Sequence, residues 1–297
     1  MKNFTIFTDS SADLNTDLNL ALLNDLNVKV LGLCCNFKDK EYIEEGNFGL
    51  DYSDFYASLR TEKTLSTTSQ VNAFRFENAF EEEIEKGNDI LYIAFSSALS
   101  GTYNSSVLAK TELLERYPDA RIEIVDAKCA STGTGILTLM ASDLKKAGKS
   151  IDEIKDELLK IAPNLFHILS VSSLDHLKRG GRISATTAFV GGLLNVKPII
   201  YVNDAGELVT FTKVKGKKKL LKTLAAYIET NVIDSKNQTL YISHAGCLDD
   251  ALALRDLVLE TTEFRDVVFN NIGLVIGSHT GPDALAIFFI GHGRELK

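Results

Sequence analysis

The chain has 297 residues, of which 45% are hydrophobic and 24% charged, which is typical of an ordinary globular protein with one or two domains. Its formal net charge is −8, which argues against a nucleic-acid partner because phosphate binding needs a basic surface. No segment approaches the roughly 18 uninterrupted apolar residues of a membrane-spanning helix, so we expect no stable membrane insertion.

Apolar strand-like runs alternate with amphipathic helical patterns through the first half of the chain. The predicted strands are residues 4–8, 28–33, 90–95 and 122–125, and the predicted helices are residues 71–86, 103–117, 132–147 and 151–161. The opening run meets Asp9 before it is long enough for a signal peptide, so we expect a cytoplasmic location. This alternation predicts an α/β architecture with a largely parallel sheet.

The second half continues the alternation but contains a hairpin signal. Predicted strands are residues 166–171, 197–202, 208–213, 239–243, 267–275 and 286–290, with helices at 217–230 and 248–261. Asn203-Asp204-Ala205-Gly206 joins two of these strands and predicts a tight turn, so this half should contain antiparallel pairs. Pro163-Asn164 breaks the pattern, which favours a division into domains 1–160 and 161–297. The crevice between them is the expected ligand site.

Three hydroxyl-rich segments are predicted to be loops that open helices. They are residues 9–13 (DSSAD), 66–70 (STTSQ) and 96–103 (SSALSGTY). Ordinary helix capping would explain each of them separately. Because helix N-termini and strand carboxyl ends gather at one edge of a parallel sheet, the three together predict an anion site of hydroxyls and amides. A carboxylate or a phosphate would fit such a site.

Two further segments each have two interpretations. His279 lies between glycines in residues 276–282 (IGSHTGP), which favours an irregular loop that presents the imidazole, although a lone histidine is often structural. Residues 177–184 (LKRGGRIS) form a basic glycine loop. That loop is either a solvated connection or a docking point for a phosphate or an acidic partner.

Signatures of enzymes and metal sites are absent from the sequence. The chain has no G-x-S-x-G elbow and no H-E-x-x-H pair, and Asp143 stands where a P-loop requires glycine. The four cysteines show no C-x-x-C spacing, so we expect neither disulfides nor a metal or other cofactor. A triad of Ser100, His279 and Asp9 stays open, but no specific feature favours it.

Together, several of these segments resemble the DegV family. The matching segments are TDSSADL, TTSQ, FSSALSGTYNSS, LKRGGRIS, NVKPII and IGSHTGPDALAIFF, which run in order from residue 8 to about residue 289. The resemblance implies a two-domain DegV-like fold, with an N-terminal three-layer α/β/α domain and a C-terminal α/β domain with a mixed sheet. It also implies a long-chain fatty acid bound between the domains. The chain would be the non-catalytic subunit of a bacterial fatty acid kinase, whose separate ATP-binding subunit forms an acyl phosphate for phospholipid synthesis.

The same resemblance assigns roles to individual residues. Thr68 and Ser100 would bind the fatty-acid carboxylate, with His279 close by, while Arg179 and Arg182 would fall near the surface that meets the kinase subunit. The residues expected to support the pocket are Ser69, Ser97, Gly101, Thr102 and Thr280. One departure is Asp283, which stands where the family usually has the glycine of GPGA.

Two other functions stay open at this point. Ser100 and His279 could serve a serine hydrolase or acyl transferase. Alternatively, the chain could be a regulatory module whose acyl site only reports lipid status to a partner.

Overall fold

A computed structural model describes residues 3–14, 28–46, 49–62, 64–183 and 195–294, and they form an α/β protein. The strands are β1 (Phe4–Asp9), β2 (Val28–Leu31), β3 (Cys34–Phe37), β4 (Lys40–Ile43), β5 (Ser66–Ser69), β6 (Asp89–Ala94), β7 (Ile122–Asp126), β8 (Leu165–Ser170), β9 (Val196–Val202), β10 (Leu208–Lys215), β11 (Thr239–His244), β12 (Asp266–Asn271) and β13 (Leu285–Ile290). The α-helices are α1 (Tyr52–Thr61), α2 (Ala73–Glu85), α3 (Thr102–Arg116), α4 (Thr132–Lys146), α5 (Ile151–Ile161), α6 (Asp175–Arg179), α7 (Lys217–Asn231), α8 (Leu248–Leu259) and α9 (Leu274–Thr280). Of the helices in these ranges, none is long and apolar enough to cross a membrane.

A four-stranded parallel sheet in the order β2-β1-β6-β7 forms the centre of the first half. Every residue of β1 and of β6 is buried, which is typical of parallel strands covered on both faces. Phe76 and Phe80 of α2 pack on one face, and Leu137 of α4 and Ile154 of α5 pack in the core cluster on the other. The predicted three-layer α/β/α arrangement is therefore confirmed.

The second half contains a six-stranded sheet in the order β10-β9-β8-β13-β11-β12. Only β11 and β12 pair in parallel, so the sheet is mixed, as predicted. The hairpin expected at residues 203–206 joins β9 to β10, with Gly206 at φ 86°. Helices α7 and α8 cover one face, while the other face shares a core cluster with the first half. A domain boundary between residues 160 and 161 stays a prediction.

The prediction of a loop at residues 66–70 was wrong for most of that segment. Ser66–Ser69 is the strand β5, which pairs with β3 in a small antiparallel sheet of order β4-β3-β5. Its short, entirely polar sequence gives no apolar alternation, and it becomes a strand because β3 offers a backbone partner, with Cys35 opposite Thr68. Strands β3 and β4 and helix α1 were not predicted either.

The segment around His279 was also predicted wrongly. The strand expected at residues 267–275 ends at Asn271, and Leu274–Thr280 form helix α9 instead of an irregular loop. The buried carboxylate of Asp13 accepts from the N–H of Gly273 at 3.0 Å. Glu44 accepts from the N–H groups of Leu274 and Val275 at 2.6 and 3.3 Å. These carboxylates satisfy helix donors that would otherwise be unpaired, and sequence periodicity does not show them.

Candidate functional site

A cavity of about 340 Å³ lies between the carboxyl end of the parallel sheet and the mixed sheet. This volume is within the range of about 300–1,000 Å³ that is usual for small-molecule sites. Much of its wall is apolar, formed by Phe95, Leu99, Leu169, Leu177, Leu208 and Ile276 among others. Both halves of the chain contribute residues to the lining.

Thr68 and His279 meet in the lining of this cavity. Thr68 is on β5 and His279 is near the end of α9, and the Thr68 Oγ1 atom lies 2.7 Å from Nε2 of His279. Residue 180 must be glycine for the imidazole to occupy this position, because a Cβ there would overlap Nδ1 of His279. The predicted pair is therefore brought together, although on a strand and a helix and not on two loops.

The His279 imidazole is neutral at ordinary pH. Burial, with smaller contributions from nearby Arg182 and His176, lowers its pKa from 6.5 to about 4. Its Nδ1 atom is buried and has no hydrogen-bond partner within the described part of the chain. When Nε2 carries the proton and donates to Thr68 Oγ1, the Thr68 hydroxyl hydrogen is free to donate to a ligand oxygen.

Ser100 follows strand β6 and lies just before helix α3, at the edge where ligands bind in open parallel sheets. Its Oγ atom is 2.9 Å from the Thr102 hydroxyl and accepts from the Thr102 N–H at 3.2 Å. Gly101 allows β5 and α3 to approach each other, because a Cβ there would overlap the amide of Gln70. Ser100 therefore lines the cavity, while Thr102 is fully buried behind it.

Arg182 contributes a positive charge that sequence reasoning did not place in the site. It is half-buried and lines the cavity, where its Nε donates to the carbonyl of Leu99 at 3.1 Å and its guanidinium also contacts the carbonyl of Gly180. No carboxylate pairs with it among the residues that the structure covers. Arg179, in contrast, is exposed and lies 3.1 Å from Nδ1 of His176. Arg182 lies three residues after the end of α6, and no sequence pattern distinguishes its position in the cavity from the exposed position of Arg179.

The other predicted residues divide between the cavity and its surroundings. Ser69 and Thr280 line it. Ser97 does not, because its hydroxyl donates to Asp126 at 2.5 Å and accepts from Lys128 at 3.3 Å. The residues that sequence reasoning left out of the site but the structure places in its lining include Gln70, His167 and Arg182.

The geometry does not favour the triad that the sequence left open. Ser100 bonds to Thr102, and Nε2 of His279 bonds to Thr68. The carboxylate of Asp9 accepts from the Tyr92 hydroxyl at 2.6 Å and from the N–H of Phe95 at 3.2 Å. A triad needs the serine, histidine and aspartate bonded in sequence, and neither of those two bonds is present.

Asp283 is not in the described lining of the cavity. Its carboxylate accepts from Arg60 at 2.6 Å, and both side chains are 40% exposed. Its φ of 62° is in the left-handed region, where glycine fits without strain and aspartate is tolerated. Aspartate can therefore replace glycine at position 283, because the backbone conformation tolerates it and its carboxylate pairs with Arg60 of α1.

This conformation gives a prediction for two variants at one position. We expect Asp283→Gly to change the free energy of unfolding by no more than about 1 kcal/mol, because an exposed ion pair contributes little. Asp283→Ala should be less stable than Asp283→Gly by about 1 kcal/mol, because alanine is strained at positive φ. Urea unfolding of the three proteins measures the difference. Equal stability of the glycine and alanine variants would contradict the assigned backbone conformation.

Comparisons with known proteins agree on one family. The family model described as an uncharacterised protein of the DegV family matches residues 3–292. A DegV domain-containing protein of Clostridium perfringens is 50% identical over 295 residues, which cover 99% of this chain and 100% of that protein.

Two solved structures are similar over almost the whole chain. A DegV family protein from Thermus thermophilus, described for its fatty acid binding, is 32% identical with a TM-score of 0.82, covering 98% of this chain and 100% of its own. A fatty acid binding DegV family protein from Streptococcus agalactiae is 27% identical with a TM-score of 0.84, covering 99% of this chain and 100% of its own.

Proposed function

The chain belongs to the DegV family, and on this premise we propose that it binds a long-chain fatty acid and presents the carboxylate to a separate kinase subunit, without catalysing a reaction itself. The observation that carries the proposal is a cavity with apolar walls and a cluster of polar side chains around Thr68 and His279. The two related structures described as fatty acid binding proteins support the same ligand class.

In this proposal the fatty-acid carboxylate lies among Thr68, Ser100, His279 and Arg182. A buried carboxylate is costly unless donors surround it, and these residues offer two hydroxyls and a guanidinium. The neutral imidazole of His279 orients the Thr68 hydroxyl and adds no second charge. Arg182 supplies the electrostatic complement, since its guanidinium bonds are to carbonyls and leave its charge uncompensated within the described residues.

The apolar walls bind the acyl chain. Burial of a methylene contributes about 0.8 kcal/mol, so about 14 methylenes offer roughly 11 kcal/mol before the costs of association are subtracted. A short acid would lose most of this contribution. The cavity therefore selects long acyl chains over acetate or butyrate.

Presentation to a kinase needs a carboxylate that a second protein can reach. The LKRGGRIS segment supports this part of the proposal, because it contributes Arg182 to the cavity and exposes Arg179 three residues earlier. A basic surface next to the carboxylate suits a partner that brings ATP.

Lipid binding is tested on the recombinant protein directly. We expect mass spectrometry after organic extraction to detect a co-purified long-chain fatty acid. After delipidation, palmitate at about 100 times its dissociation constant should raise the free energy of unfolding by about 2.7 kcal/mol. Protein that is lipid-free as purified, and whose unfolding does not change with palmitate or oleate, would overturn the proposal.

The presentation step needs a second experiment. The palmitate-loaded protein is mixed with ATP and the fatty acid kinase subunit of the same organism, and acyl phosphate is trapped with hydroxylamine. We expect acyl hydroxamate only when both proteins are present. If the protein binds palmitate but no hydroxamate forms, the proposed lipid site stands and the presentation role is wrong. Lipid sensing would then be the function.

A further inference from the structure

His167 is a polar residue in the lining of the cavity. It is 4% exposed, lines the cavity and belongs to β8, where it lies opposite Phe288 of β13. The Ser172 hydroxyl donates to the carbonyl of Pro282, so the carboxyl end of β8 is next to the segment that carries His279. His167 is three residues back from Ser170, or about 10 Å along the strand, on the side away from that segment.

The imidazole of His167 has one weak protein partner. Its Nδ1 atom lies 3.4 Å from the Cys129 sulfur, and its ring packs against the Phe288 ring with 4.5 Å between centroids. No other hydrogen bond to this side chain occurs in the described ranges. With Nδ1 directed at Cys129, Nε2 is the polar atom left for the cavity.

Both members of this pair are neutral at ordinary pH. Burial lowers the pKa of His167 to about 3 and raises the pKa of the Cys129 thiol to about 11. A neutral imidazole has one donor nitrogen and one acceptor nitrogen. If Cys129 donates to Nδ1, then Nε2 is a donor, and if Nδ1 donates to the sulfur, then Nε2 is an acceptor.

An unsubstituted acyl chain would leave Nε2 without a hydrogen-bond partner among the described residues, which is unfavourable in an apolar cavity. A hydroxyl both donates and accepts, so it satisfies Nε2 in either tautomer, whereas a keto oxygen satisfies only the donor form. Along β8, His167 lies about 10 Å from Ser170, on the side away from the segment that carries His279, so in the proposed pose it faces the acyl chain.

We propose that the cavity prefers fatty acids with a hydroxyl on the distal part of the acyl chain, and that His167 recognises this hydroxyl. The inference rests on the proposed function, because it assumes that an acyl chain fills this cavity. It assigns a substrate class to the site and a specificity-determining role to a histidine that the carboxylate does not use.

The test compares ligands of equal length on the wild-type protein. Dissociation constants are measured for stearate, 10-hydroxystearate and 12-hydroxystearate by competition with a fluorescent fatty acid. We expect at least one hydroxy acid to bind about tenfold more tightly than stearate. Stearate binding equal to or tighter than both hydroxy acids would overturn the inference, since a water molecule would then satisfy His167. If none of the three acids binds, the proposed function itself fails.

A variant of His167 tests whether this residue causes the preference for hydroxy acids. His167→Leu should abolish the roughly tenfold preference for the hydroxy acid over stearate. His244→Leu is the matched control, because His244 is also buried and its Nδ1 has no partner among the described residues, but it is not in the described lining of the cavity. A preference that survives in His167→Leu would overturn the role of His167. The wild-type comparison does not depend on how well either variant folds.

Discussion

Thr68→Val is expected to weaken palmitate binding by about tenfold to a hundredfold. Valine keeps the shape of threonine but removes the hydroxyl that lies 2.7 Å from Nε2 of His279. Both the carboxylate and the imidazole then lack one partner, and an unsatisfied buried group of this kind costs about 1–3 kcal/mol. The measurement is isothermal titration of delipidated protein with palmitate.

The neighbouring residue offers a control for this variant. Thr67 is on the same strand, is exposed, and is not in the described lining of the cavity, so Thr67→Val makes the same chemical change outside the site. We expect its palmitate affinity to match that of the wild type. Equal affinities for Thr68→Val and Thr67→Val would place the carboxylate elsewhere.

The same titration at two pH values tests the charge of His279. Because the pKa of this imidazole is about 4, the group is neutral at both pH 6 and pH 8. The loss in Thr68→Val should therefore be the same at both values. A loss that grows markedly at pH 6 would show that the protonated imidazole binds the ligand.

We expect Glu44→Gln to change how the stability of the protein depends on pH, which is the second large effect. Glu44 is fully buried and accepts from the first N–H groups of α9, the helix that carries His279. Burial raises its pKa from 4.5 to about 7, partly offset by these hydrogen bonds. The folded protein therefore binds this proton more tightly than the unfolded chain does.

The sign of the effect follows from that difference in proton binding. Between about pH 4.5 and pH 7 the folded state holds more of this proton, so the contribution of Glu44 to stability falls as the pH rises. At 1.36 kcal/mol per pKa unit, the fall is about 3 kcal/mol. Glutamine resembles the protonated acid and does not titrate, so Glu44→Gln should gain stability relative to the wild type between pH 5 and pH 8.

Other groups titrate in the same range with the opposite sign. The lowered pKa values of His279 and His167 mean that their contribution to stability is lost as the pH falls below about 6.5. The histidine contributions are the same in both proteins, so they cancel in the difference between the free energies of unfolding of wild type and Glu44→Gln. Urea unfolding at pH 5 and pH 8 measures this difference. Glu45→Gln, at the exposed next residue, is the control and should follow the wild type. A pH profile of Glu44→Gln parallel to the wild type would contradict the assignment.

Local sequence patterns were sufficient for most of the two larger sheets and for one side of the site. The predominantly apolar runs of β1 and β6 predict central parallel strands because such strands are buried on both faces. The turn at residues 203–206 predicts the antiparallel pair β9–β10 through its own backbone requirements. Ser100 is in the loop that joins the end of β6 to α3, so its place at the sheet edge was predictable as well.

Only the tertiary structure determined the other side of the site. Thr68 is on a strand because β3 pairs with it, and His279 is on a helix because Asp13 and Glu44 satisfy its first N–H groups from more than 200 residues away. Packing likewise places Arg182 and His167 in the cavity, although neither position differs in sequence from a solvated or a core residue. The sequence by itself determined most strands of the two larger sheets, the hairpin and the position of Ser100, since each depends on neighbouring residues. The positions of Arg182 and His167 in the cavity depend on contacts between distant segments, which a local sequence pattern does not show.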